Sequence, residues 1–281
     1  METMIPSRLS TLGHPQRLAL FRLLMRRYPD EVPAGELADA LGLKASTLSA
    51  YLSALLQVGL VTQAREGTSL RYSLDMEQVR QTLDYLVLDC CRGRPDLCAP
   101  LTLTPQTGTP AMTDRKYNVL FICSGNSARS IFAESLLRKQ AGDRFNAFSA
   151  GTRPGSLLNP FAVAVLREKG HDISALRAKD ISEFSGPNAP KFDFVFTVCN
   201  QAANEECPAW EGQPVTGHWG LADPVKVDGN DALKALAFQE AYGALKHRID
   251  LFTALNLDSL SRLALQSKID DIGQQTYEDL P

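Results

Sequence analysis

Two domains of different class are predicted. A mainly α winged helix-turn-helix spans 1–98, a linker spans 99–115, and an α/β doubly wound parallel sheet spans 116–281. Three observations carry this. Ala99–Arg115 reads APLTLTPQTGTPAMTDR, a stretch of prolines, threonines and a glycine with linker composition. Before it, two short helical patterns meet at Gly42 and run into an extended pair. After it, an apolar run enters a small-residue loop and then a helical pattern, and strands alternate with helices from there on.

The chain length of 281 residues suits two domains. With 44% hydrophobic and 22% charged residues, a disordered chain, a collagen-like fibre and a small disulfide scaffold are excluded. The net charge of −3 gives no basic excess of the kind a strongly basic nucleic-acid binder carries. The longest apolar runs, such as Val119–Ile122 and Phe192–Val198, are far shorter than the roughly 18–20 residues of a spanning helix. The N-terminus METMIPSRLSTLGHPQRL has no continuous apolar segment, so no secretory signal and no membrane partner are expected. A cytoplasmic location is the expectation, and there clustered cysteines point to metal binding or redox catalysis rather than to disulfides.

In the first domain, Leu18, Leu20, Phe21, Leu23 and Leu24 form one broad face of a helix starting near Pro15. Leu37, Ala38 and Leu41 suit a short helix ended by Gly42. Leu48, Tyr51, Leu52, Leu55 and Leu56 suit a second, ending near Gly59. Leu60-Val61 opens a hairpin that turns at Arg65–Ser69 and returns over Leu70–Leu74, in the manner of a wing. The second helix of such a pair enters the major groove. Lys44, Ser46, Thr47, Ser49 and Tyr51 are therefore the candidate base-edge residues, and Arg65 and Arg71 of the wing, with Lys44, the candidate phosphate contacts. Ala45–Gln57 holds no charged residue, so phosphate attraction has to come from outside that helix. The order GHPQRLALFRLL, ELADALGLKASTLSAYLSALLQVGLV and REGTSLRYSL resembles the ArsR family of winged-helix repressors over about residues 8–75. The resemblance implies a homodimer, formed through the N-terminal domain, that binds operator DNA and releases it when a metal or metalloid binds. Its recognition helix lacks the histidines or basic residues common in the family, so no operator sequence carries over.

Leu83–Leu88 reads as an amphipathic helix, and DCCRGRPDLC follows. Cys90, Cys91 and Cys98 fall in a stretch that Gly93 and Pro95 bend, so three sulfurs can converge. Three soft thiolates suit trivalent arsenic or antimony, and arsenite needs no fourth ligand. Structural zinc takes four, and no histidine lies close in sequence. This tail is similar to that of arsenite-sensing ArsR members, which makes arsenite the expected inducer.

In the second domain, Lys116–Ile122 reads as a buried central strand. It leads into Cys123-Ser124-Gly125-Asn126-Ser127-Ala128-Arg129-Ser130, and IFAESLLRKQ continues as a helix. Gly125 and Asn126 tolerate positive φ and let amides turn inward. Those amides and the helix N-terminus make a cradle for a tetrahedral oxyanion from Ser124 to Ser130. Arg129, with five residues between it and Cys123, can return to clamp two oxyanion oxygens. Cys123 at that positive end is expected to have a depressed pKa, with Ser130 donating to its sulfur. Phe145–Ala150 and Phe192–Val198 are further strands, Asn159–Lys169 is a capped helix, and Ala232–Leu255 holds a long terminal one. The strand Phe192–Val198 ends at Cys199, Cys207 follows after NQAANEE, and HWGLADP sets Asp223 before Pro224. Asp223 fits either a general acid or an Asp-Pro turn.

CSGNSARS, TVCNQAANEECPAW and HWGLADP together resemble arsenate reductases built on the low-molecular-weight tyrosine phosphatase fold, over about residues 116–255. The resemblance implies Cys123 as nucleophile, Arg129 as oxyanion clamp, Asp223 as general acid, and Cys199 and Cys207 as a redox pair. The seven residues between that pair depart from the family pattern. No tightly bound cofactor is expected. Arsenate is the expected substrate, and thioredoxin or glutaredoxin with glutathione the expected reductant. Phosphate and arsenate are both tetrahedral. A phosphomonoesterase with a DNA-docking or dimerising winged helix therefore remains the alternative, and a pure oxyanion sensor a third.

Overall fold

The computed structural model describes residues 4–90, 115–186, 189–205, 210 and 213–275. The chain divides into two compact units, Met1–Ala111 and Met112–Pro281. All of the expected linker except Arg115 lies outside the described residues, as do Cys91, Cys98 and Cys207.

The first unit begins with α1 (Ile5–Leu12), which the apolar pattern did not announce. The reason is that its main tie is polar. Arg8 is buried and donates from Nε to Val58 O at 3.0 Å and from Nη1 to Thr82 Oγ1 at 3.2 Å and Gln78 O at 3.3 Å. Helix α2 (Pro15–Arg27) starts where expected, with Pro15 in its first turn and His14 Nδ1 accepting the Gln16 N–H. Its buried face is narrower than the sequence suggested: Leu20, Leu23 and Leu24 are buried, Phe21 is half-buried and Leu18 is exposed. Helix α3 (Ala34–Leu41) stops at Gly42, whose φ of 62° is the left-handed cap glycine tolerates. Helix α4 (Ala45–Gln57) turns Leu48, Leu52 and Leu55 into the core.

The wing is β2 (Val61–Glu66) paired antiparallel with β3 (Ser69–Leu74). A short β1 (Val32–Pro33), too brief to show in the sequence pattern, adds a third strand on β3. Helix α5 (Met76–Asp84) starts seven residues before the expected Leu83, because Asp75 caps it by accepting the Gln78 N–H. A π-helical turn over Tyr85–Cys90 continues it.

The second unit is a four-stranded parallel sheet in the order β5-β4-β6-β7, with helices. Its strands are β4 (Tyr117–Cys123), β5 (Phe145–Gly151), β6 (Phe194–Thr197) and β7 (Val215–His218), the last unanticipated. Between them run α6 (Arg129–Ala141), α7 (Pro160–Glu168) and the short α8 (Asn200–Asn204). Two helices close the unit, α9 (Asp231–Ala254) and an unanticipated α10 (Arg262–Gln274). Phe252 of α9 packs on Phe145, Phe194, Phe196 and Trp219. Phe148 instead meets Phe184 and Phe192, and Phe192 meets Trp210, so both faces of the sheet are covered by aromatic packing. Among the described residues, no helix is long and apolar enough to cross a membrane.

The strand order decides where chemistry can occur. From β4 the chain moves one way to β5, and β6 then returns to the other side of β4. Ligands bind at such a switch point, outside the carboxyl ends of the strands. Cys123 is the last residue of β4, and Cys199 lies two residues past β6.

Candidate active site

The loop after β4 is built around the Cys123 sulfur. The Asn126 N–H donates to Sγ at 3.1 Å, and Ser130 Oγ lies 2.9 Å from it. Of the two residues expected to take positive φ, only Asn126 does, at 44°. Its side chain holds it there: Nδ2 donates to Ser130 Oγ at 2.8 Å and Ser149 Oγ at 2.9 Å, and Oδ1 accepts the Lys179 N–H at 2.7 Å. Asn126 and Ser130 are fully buried behind the sulfur, so they brace the loop and do not line the pocket with the rest of Ser124–Ser130.

The bracing runs deeper. Ser149 Oγ donates to Glu134, whose Oε2 also takes Lys179 Nζ at 2.9 Å, in an ion pair 4% and 9% exposed. Gly151, at the end of β5, completes the cradle: a Cβ there would stand 2.7 Å from Ser124 O. None of Glu134, Ser149, Lys179 or Gly151 was singled out in the sequence, where each reads as an ordinary helix, strand or loop residue.

The pocket in front of the sulfur has a volume of about 240 Å³ and is lined by Cys123, Ser124, Gly125, Ser127, Ala128 and Arg129, then by Arg153, Gln201, Asp223 and Val225. Arg129 is nearly buried. Its Nη2 pairs with Asp223 Oδ2 at 2.8 Å, and its Nη1 donates to Leu221 O at 2.9 Å. Asp223 also accepts the Val225 N–H, so the turn role and a place in the pocket coexist in one side chain. Cys199 is buried beside the loop, 3.4 Å from Ser124 Oγ, with its sulfur accepting the Ala202 N–H as the cap of α8. Cys207 lies outside the described residues.

The thiol itself departs from expectation. Burial pushes the Cys123 pKa up and the nearby Cys199 adds to this, while Ser130 and the Arg129 guanidinium act in the opposite direction and do not prevail. Cys123 is only 2% exposed, so little water reaches the sulfur to solvate a thiolate, and the sequence pattern does not report that loss. The alkylation rate of Cys123 by iodoacetamide is therefore expected to climb with pH through a midpoint above that of an ordinary cysteine. A midpoint below it, read from rate against pH, would contradict the raised pKa.

In the first unit, Lys44 is the N-cap of α4, and Lys44, Ser46 and Ser49 are exposed. Thr47 is half-buried. Two expected DNA contacts are engaged within the fold. The Tyr51 ring packs against His14 at 5.0 Å, and Arg71 pairs with Glu66 while donating to Glu31 O at 3.2 Å. Arg65 is exposed at the wing tip. Cys90 is exposed at the end of the π-helical turn, and its expected partners Cys91 and Cys98 lie outside the described residues.

Residues 118–261 match the family model described as low molecular weight phosphotyrosine protein phosphatase, and residues 12–64 match one described as a helix-turn-helix domain. An arsenate reductase of Bacillus licheniformis is 38% identical over 137 residues, 49% of this chain and 95% of that protein. One of Halalkalibacterium halodurans is 36% identical over 134 residues, 48% of this chain and 93% of that protein. A solved structure described as an arsenate reductase in oxidized state is 26% identical and covers 47% of this chain and 93% of that one, with a TM-score of 0.40.

Proposed function

This chain belongs to the low molecular weight phosphotyrosine protein phosphatase family, and from that footing we propose that its second unit is an arsenate reductase working through its own thiols, joined to a DNA-binding repressor that answers to the product. The observation that carries the reductase reading is the second cysteine. A phosphatase needs one thiol and a water, whereas Cys199 lies buried next to the Cys123 loop, where it serves no hydrolysis.

Arsenate enters the pocket with its oxygens toward the loop amides and the Arg129 guanidinium. Cys123 Sγ attacks arsenic and forms the S–As bond. The thiol proton of Cys123 passes to Asp223, the carboxylate paired with Arg129, and from it to an arsenate hydroxyl, which leaves as water. Cys199 sulfur then attacks Cys123 Sγ. The S–S bond forms, the S–As bond breaks, and its electron pair stays on arsenic, which departs as arsenite. Cys207 attacks Cys199 in turn, freeing Cys123, and an external dithiol, thioredoxin or glutaredoxin with glutathione, reduces the resulting disulfide.

The first unit binds operator DNA as a homodimer, with Lys44, Ser46, Thr47 and Ser49 toward base edges and Arg65 toward phosphate. Cys90, Cys91 and Cys98 take arsenite as three thiolates and release the DNA. The product of one unit is the inducer of the other.

Arsenate-dependent NADPH oxidation coupled to a thioredoxin or a glutaredoxin system tests the enzyme. Turnover is expected for the wild type and none for Cys199→Ser. Robust aryl phosphate hydrolysis without arsenate turnover would instead make the unit a phosphatase. For the sensor, arsenite is expected to release operator DNA from the wild type and not from the variant with Cys90, Cys91 and Cys98 all changed to Ser. A triple variant that still responds places the inducer site elsewhere.

A further inference from the structure

The pocket holds a second arginine that the reaction above does not use. Arg153 lines it, and its backbone belongs to a segment stitched to the catalytic loop. Thr152 N–H donates to Cys123 O at 3.0 Å, Arg153 N–H to Ser124 O at 2.9 Å, and Asn159 N–H to Ser127 O at 3.0 Å. The base of this side chain is fixed while its guanidinium, 72% exposed, reaches across to Glu205 at 2.9 Å. Glu205 immediately follows α8, the short helix that begins at Cys199, and Cys207 comes two residues later in the sequence. The same helix also contributes Gln201 to the pocket wall.

The two arginines of the pocket differ in kind. Arg129 is 9% exposed and held by both Asp223 and Leu221. Arg153 is anchored only at its backbone and paired at the surface, where an ion pair is weak and easily exchanged. An arsenate or phosphate dianion in the pocket offers Arg153 more charge than one carboxylate, and with bidentate geometry.

We propose that Arg153 is a second oxyanion-binding residue, and that in binding substrate it lets go of Glu205 and so frees α8, from its cap Cys199 to Glu205. The pair holds the far end of α8, and the intact helix in turn holds the Cys199 sulfur through the Ala202 N–H. Substrate occupancy thereby loosens the attacking cysteine at the moment it is needed and keeps it sequestered otherwise. The inference takes its substrate class from the reading above, but its first test uses binding and needs no turnover.

The probe is inorganic phosphate with the full-length chain, its Kd measured by calorimetry. Arg153→Ala is expected to weaken phosphate binding. Glu205→Gln is expected to tighten it by about two- to five-fold, the scale of one surface ion pair, because Arg153 no longer has a competitor. General damage to the fold moves both variants the same way, so opposite signs are the signature. The second readout is Cys199 alkylation, followed by peptide mass spectrometry. Phosphate should accelerate it in the wild type, and Glu205→Gln should show the faster rate without phosphate. Equal phosphate affinity in Glu205→Gln and wild type, or an alkylation rate in the wild type that ignores phosphate, overturns the proposal. Absent arsenate turnover with both shifts intact would overturn the reductase reading and leave the Arg153–Glu205 exchange standing.

Discussion

Cys123→Ser is expected to abolish arsenate reduction, by on the order of 10⁴-fold or more, while leaving the fold in place. Serine fits the same cradle, since the Asn126 N–H and Ser130 Oγ can hydrogen-bond an oxygen as they do the sulfur. The hydroxyl is a far weaker acid and a poorer nucleophile, and it cannot form the disulfide through which electrons reach arsenic. Circular dichroism should match the wild type while coupled NADPH oxidation falls to background. Aryl phosphate hydrolysis should be lost with it, because any phosphatase side reaction uses the same sulfur. In Cys199→Ser the two activities should part: arsenate turnover stops and aryl phosphate cleavage survives. Residual arsenate turnover in Cys123→Ser would remove this cysteine from the chemistry.

The second large effect is expected at a residue that does not line the pocket. Glu134→Ala strands the Lys179 ammonium, which is 9% exposed in its ion pair, and removes the acceptor for Ser149 Oγ. Leaving one charge of a buried pair without its partner costs about 3–5 kcal/mol, a fall in Tm on the order of 10 °C for a unit of this size. Lys179 also ties directly to the catalytic loop, since its N–H donates to Asn126 Oδ1. Asn126 is therefore expected to lose its brace at positive φ, and kcat to fall with stability. Changing both residues, Glu134→Leu with Lys179→Met, removes the stranded charge and should recover much of the Tm. Activity should stay low, because Ser149 still lacks its acceptor. A double variant that regains both Tm and kcat would reduce the pair to a stability role, and thermal melts beside arsenate kinetics decide it.

Much of the architecture was legible because its signals are local. The left-handed cap at Gly42, the proline in the first turn of α2 and the apolar run of β4 each follow from residues a few positions apart. Elements whose ties are distant or polar were not legible. Helix α1 is held by Arg8 reaching residues 50 to 74 positions away, and β7 and α10 carry no pattern strong enough to stand out. The raised Cys123 pKa belongs with these, because the sequence shows the helix N-terminus and the arginine but not how completely the sulfur is buried.

The sequence by itself determined the residue types of the candidate chemistry: a Cys-x5-Arg loop between strand and helix, a cysteine after a later strand, an aspartate before a proline, and a cluster of three cysteines after a wing. Only the tertiary structure decided that β6 returns beside β4, and so set Cys199 against the Cys123 loop across some 75 positions of chain. It also decided that Arg129 meets Asp223, that Glu134 and Lys179 stand behind the loop, and that Arg153 lines the pocket and pairs with Glu205. The physical reason is one of range. Helix caps, turns and alternation are settled between neighbours, whereas strand order and buried ion pairs follow from how the whole core covers both faces of the sheet.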